Sequence, residues 1–154
     1  RKLGLHLPVQ AGKGYSITSS RPAACPRLPL LLKEANMAVT PWPSGLRLGG
    51  TMEFAGLDSS LRRKRLDALR HGAARFLREP LGTHPVEWCG FRPMTPDELP
   101  LIGPAPRFSN AIIATGHGMM GVSMATGTAQ LVREMLTDGA PCVDPAPYAP
   151  ERFA

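Results

Sequence analysis

The chain has 154 residues, 43% of them hydrophobic, with 17 prolines, 16 glycines and a formal net charge of +6. One domain's worth of chain with that apolar fraction can bury a core, and apolar clusters recur along its length, which excludes a disordered polypeptide. So many turn formers exclude a helical bundle, and no apolar run reaches the roughly 20 residues of a membrane-crossing helix.

The chain opens on Arg1 and not Met, which points to a start further upstream, and it shows no signal peptide. Gly12 to Thr18 reads as a tight turn feeding a short strand with alternating side chains. A loop follows at Pro22, Pro26 and Pro29. Leu30 to Lys33 and Met37 to Thr40 are short strands, Ser44-Gly45 is a turn, and Leu46 to Phe54 returns to make an antiparallel hairpin. Gly49-Gly50 within that strand marks a bulge or a close approach of another group. Asp58, Ser59 and Ser60 are N-cap candidates for a helix reaching Arg78, with Leu66, Leu69, Ala73, Phe76 and Leu77 on its apolar face. His84 to Pro93 is a strand, Pro96-Asp97 a turn, and Leu99 to Ile102 a short extended piece ended by Gly103-Pro104. Ala111 to Thr115 reads as a buried strand and Gly116 to Gly121 as a glycine-rich turn. Val122 to about Leu136 is a helix closed by Asp138-Gly139, and an extended proline-rich tail follows.

Arg62, Arg63, Lys64, Arg65, Arg70, Arg75 and Arg78 carry most of the net charge. They form a solvated helix face or a surface for an anionic partner. Nucleic-acid binding would call for stacking aromatics beside the charges, and the stretch offers only Phe76, on its apolar face, so no nucleic-acid partner is expected. Cys25, Cys89 and Cys142 form no Cys-x-x-Cys pair and do not cluster with histidines at zinc spacing, so a reduced, cytoplasmic protein with no structural metal is expected.

The sharpest local signal is Gly116-His117-Gly118-Met119-Met120-Gly121, between a strand and a helix. Its letters match the dinucleotide fingerprint, with acidic Asp138 about twenty residues on. A dinucleotide-binding unit needs a second parallel strand after its helix, and only the proline-rich tail follows here. The turn keeps its chemistry nonetheless. Bare glycine backbone admits a flat or anionic group, and a helix N-terminus offers unpaired N–H groups and partial positive charge. A turn that merely packs a helix on a strand explains the same letters.

Trp88 to Asp97 holds the second signal. Arg92 sits in a strand among apolar neighbours, where a guanidinium must be paired or face a cleft. Its donor fork suits a carboxylate, and Pro93 stiffens the backbone beside it. The structural alternative is an ion pair with Glu53 or Asp97.

Gly90-Phe91-Arg92-Pro93 with Thr95-Pro96-Asp97, then Leu99-Pro100-Leu101-Ile102-Gly103-Pro104, then Ala114 to Gly121, resemble in order and spacing the C-terminal third of the D-amino-acid oxidase/dehydrogenase flavoproteins. Within that family they are most similar to bacterial D-amino-acid dehydrogenases. Gly12 to Ser16, Leu46 to Glu53 and Pro150 to Phe153 extend the resemblance over nearly the whole chain. The resemblance implies FAD as cofactor and an amino acid as substrate. It assigns the substrate carboxylate to Arg92. It assigns flavin contacts to Gly116, His117, Gly118, Met119, Met120, Gly121, Val122 and Ser123. The implied reaction moves a hydride from the substrate α-carbon to the flavin, and the imino acid then hydrolyses to a keto acid and ammonia. Such chemistry rests on positioning and charge stabilisation, and no catalytic acid or base and no metal ligand is assigned. Only through this resemblance does peripheral attachment of the basic helix to anionic lipid at the inner membrane rank above nucleic-acid binding.

The expected fold is α+β, an antiparallel substrate-domain sheet plus a terminal strand–glycine turn–helix that completes an FAD-binding domain. Residues 1–93 would be the substrate-domain portion and 94–154 the FAD-binding portion and tail. The family's N-terminal nucleotide-binding unit has no counterpart here. The chain alone is therefore expected to be catalytically incomplete, to leave apolar surface exposed and to associate with itself. A glycine or sarcosine oxidase, and a non-catalytic remnant, are the competing readings.

Overall fold

The computed structural model describes residues 6–137 and 139–153. Arg1 and Asp138, which figured in the sequence reading, lie outside the described residues. The chain divides into two compact units, one from Lys13 to Phe91 and the other formed by the segments before and after it.

The Lys13–Phe91 unit is built on a five-stranded sheet. Its strands are β1 (Gln10–Ser20), β2 (Leu30–Leu32), β3 (Met37–Trp42), β4 (Gly45–Glu53) and β5 (Val86–Met94), in the order β2-β3-β4-β1-β5. The pairs β2/β3, β3/β4 and β1/β4 are antiparallel, and β3 and β4 make the expected hairpin around Trp42 opposite Gly45. Alternation puts Tyr15 and Ile17, Met37 and Val39, and Leu46 and Leu48 on one face. Helix α1 (Arg63–Ala74) covers that face with Leu66, Leu69 and Ala73.

Gly50 answers the question its sequence raised. A Cβ there would lie 2.8 Å from the Asn36 carbonyl oxygen and 3.0 Å from a Leu69 methyl, so helix and sheet meet too closely for any side chain. The bulge sits just beyond it. The register against β1 slips by one residue between Gly50 and Glu53, where Thr51 takes φ 60°.

Helix α1 departs from expectation at both ends. Asp58, Ser59 and Ser60 do not cap it; its N-cap is Arg62, with no side-chain capping bond. The Asp58 carboxylate instead accepts from the Ser60 N–H and hydroxyl, both at 2.9 Å. The Lys13 ammonium, fully buried, donates to the Asp58 and Ser60 carbonyls at 2.7 and 2.9 Å. A tight turn thus consumes the groups that would have capped a helix. At the other end the helix stops at Ala74 and not Arg78, and Phe76 lies exposed beneath the Arg75 guanidinium. Nor is the basic face simply solvated. Arg62 pairs with Glu53, and Arg63 and Arg70 both donate to Glu87 at 2.6 and 2.7 Å.

In the other unit, β6 (Leu101–Pro104) and β7 (Ile112–Thr115) form a two-stranded antiparallel sheet, followed by α2 (Gly121–Leu136). Gly103-Pro104 does not end β6 but pairs with Ile113 and Ile112, which a proline tolerates at the last position of a strand in so small a sheet. Strand β7 is half-exposed and not buried, because one partner strand cannot cover it. Leu101, Ile102, Ala105 and Leu131 are among this unit's buried apolar side chains. The tail is not extended. It makes 3-10 turns at Ala146–Tyr148 and Pro150–Phe153. Arg152 holds it down, donating to both Asp97 oxygens at 2.8 and 3.0 Å and to the carbonyls of Leu99, Pro100 and Ala149.

Candidate functional site

Arg92 and the glycine turn belong to the same unit. Arg92 lies half-buried near the end of β5, in the alternating stretch that turns Met94 inward and Pro93 outward. The three residues after it form the bed of the turn. The Pro93 carbonyl accepts the Gly118 N–H at 2.9 Å. Met94 sulfur would lie 3.3 Å from a Cβ at Gly118, and Thr95 Cγ2 only 2.6 Å from one at Gly116. Thr95 is itself buried and fixed by donating its hydroxyl to the Leu99 carbonyl at 2.8 Å.

Gly116 and Gly118 take φ 77° and 53°, the left-handed region that side chains resist, so the turn needs glycine for conformation as well as for space. The Met120 N–H closes back on the His117 carbonyl at 2.9 Å. His117 Nε2 lies 2.9 Å from Thr128 Oγ1, well inside α2. Helix α2 opens at Met120 without a side-chain cap, and its first intrahelical bond runs from the Met124 N–H to the Met120 carbonyl. The N–H groups of Gly121, Val122 and Ser123 thus stand ahead of the helical ladder at its positive end. Met119, Met120 and Val122 are 71%, 55% and 95% exposed, an apolar rim around those donors.

Asp97 and Glu53 each sit in an ion pair of their own, and Arg92 has an interaction partner as well. Asp97 is gripped by Arg152, which holds its carboxyl down to about 2. Glu53 accepts the Tyr15 hydroxyl at 2.6 Å and faces Arg62 at 3.0 Å and Lys13 at 3.9 Å. The Tyr15 bond, with Arg62 and Lys13 behind it, outweighs burial and keeps Glu53 below the ordinary carboxylate range.

Two features escaped the sequence reading. Thr128 has no local pattern that ties it to His117. Lys13 did leave a signal, since strand alternation puts it on the buried face with Tyr15 and Ile17. Among the described residues no group of His, Cys, Asp and Glu could hold a metal ion, and no helix is long and apolar enough to cross a membrane.

The Pro93 carbonyl beside Arg92 is bonded to the glycine turn that opens α2, and the chain belongs to the family of FAD dependent oxidoreductases (DAO), whose model matches residues 1–135. It is similar to the D-amino acid dehydrogenase of Xanthobacter autotrophicus, 38% identical over 99% of this chain and 37% of that protein. It is also similar to the glycine oxidase of Pseudomonas aeruginosa, 34% identical over 97% of this chain and 41% of that one. In fold it matches glycine oxidase from Geobacillus kaustophilus with a TM-score of 0.86 at 24% identity, over 97% of this chain and 41% of that one. The chain spans about two-fifths of the length of such relatives.

The family's cofactor, FAD, fits the residues present. The uncapped α2 terminus presents N–H donors suited to an anionic ring edge.

Proposed function

We propose that this chain contributes the substrate-carboxylate arginine and the flavin-facing turn of an enzyme that oxidises the carbon–nitrogen bond of D-amino acids. The observation that carries this reading is the bond from the Gly118 N–H to the Pro93 carbonyl, which fastens the turn to the residue next to Arg92. Arg92 binds the carboxylate through its donor fork and fixes the orientation of the α-carbon. Gly121, Val122 and Ser123 turn their N–H groups toward the charge that develops on a reduced ring. Met119, Met120 and Val122 exclude water from its edge. FAD, when bound, accepts the hydride released from the α-carbon. On this reading residues 1–93 are the substrate-domain portion and 94–154 the FAD-binding portion and tail. The basic surface of α1 is where an anionic membrane would attach.

The similarity to glycine oxidases favours a second reading, in which the substrate is glycine or a small secondary amine. Turnover by the polypeptide expressed from its complete reading frame separates the two. Oxidation of D-alanine and D-proline well above glycine and sarcosine supports the first, and the reverse order supports the second.

A further inference from the structure

The bond between His117 and Thr128 has no part in the site as described so far. His117 stands between two glycines in left-handed conformation, so its backbone is flanked by the most permissive positions of the turn. On one side the turn is pinned by the Gly118 N–H on the Pro93 carbonyl. On the other side the His117 side chain folds back along α2, past Gly121, to reach a hydroxyl about two helical turns into the helix. A threonine there is well suited. Its β-branch stiffens χ1, and its hydroxyl, both donor and acceptor, serves either tautomer of the ring.

We propose that Thr128 is a positioning residue for the flavin-facing turn: by holding the His117 ring along α2, it fixes the peptide planes from Gly116 to Gly121 and so the direction of the N–H groups that open the helix. The inference rests on the flavin reading above. Without the tether, restraint of this glycine-rich segment falls to the Pro93 and Met120 bonds and to the packing of Met94 and Thr95 beneath Gly118 and Gly116, and the donors would be less ordered before a ring binds.

The test uses the polypeptide expressed from its complete reading frame and loaded with FAD. Thr128→Val keeps the shape and removes the hydroxyl, Thr128→Ser keeps the hydroxyl, and His117→Phe removes the ring nitrogens at the other end of the bond. Thr128→Val and His117→Phe are expected to raise the FAD dissociation constant about tenfold, the worth of one oriented hydrogen bond, and to shift the visible flavin absorbance. Thr128→Ser is expected to restore both, with native circular dichroism throughout. A purely structural role would alter stability and leave the spectrum of bound flavin alone. Wild-type affinity and spectrum in Thr128→Val, or in His117→Phe should the valine variant not fold, overturn the inference and leave the flavin reading standing. A wild-type protein that retains no FAD overturns both.

Discussion

Arg92 carries a permanent charge on a half-buried strand position, and its value lies in geometry that lysine cannot copy. In the complete enzyme, Arg92→Lys is expected to lower kcat/KM by about a hundredfold, mostly through KM, because a point charge replaces a two-pronged grip. Steady-state kinetics against the preferred amino acid checks this, and an unchanged KM contradicts it. Asp97 is a residue-scale clasp of another kind. Its pKa of about 2 lies below the ordinary 3.8, so its bond to Arg152 stabilises the fold above the ordinary value and is lost as pH falls towards 2. The carboxylate is 34% exposed, and solvent screening limits the contribution to about 1 kcal/mol. Denaturant midpoints should therefore show Asp97→Asn less stable than wild type at neutral pH and equal to it near pH 2. The half-buried strand position of Arg92 was legible in the sequence, because its neighbours there are apolar. Thr128 was not, because its partner lies eleven residues away across a turn whose geometry no local pattern encodes.

Among the elements, the glycine turn before α2 is held by both space and backbone conformation. A Cβ on Gly116 would meet Thr95 at 2.6 Å in a backbone with φ 77°. Gly116→Ala is expected to cost about 2 kcal/mol or more, from left-handed strain and the clash together. Chemical denaturation measures it, and a neutral result would mean the turn can relax. Strand–turn–helix order was legible here because glycine punctuation and an apolar run coincide. The start of α1 was not. Asp58 and the serines carry a strong capping signal, but the Asp58 carboxylate closes a turn on Ser60, and a buried lysine from β1 holds the Asp58 and Ser60 carbonyls, a long-range contact that overrides local preference. The same holds for the tail, where prolines suggest extension and Arg152 gathers 3-10 turns onto the Asp97 turn.

For the whole molecule, sequence pattern predicted an α+β chain with an antiparallel sheet, and the fold agrees. Strand β7, which feeds the glycine turn, pairs antiparallel with β6, where a dinucleotide-binding unit has a parallel neighbour. Exposed Met119, Met120, Val122 and Leu136 lie along α2 and the turn before it. The 154-residue chain by itself is accordingly expected to self-associate, which sedimentation velocity over a range of concentrations would reveal as a rising mean mass. A monomer at every concentration would count against an uncovered surface.

The central claim, that Arg92 and the α2 turn serve one site, is tested most directly by titrating the FAD-loaded complete protein with propionate, a carboxylate that has no amine to oxidise, while recording the flavin spectrum. Wild type should show a saturable spectral shift, and Arg92→Gln should keep its FAD and lose the shift. The same shift at the same concentrations in both proteins would show that the arginine and the ring do not share a pocket.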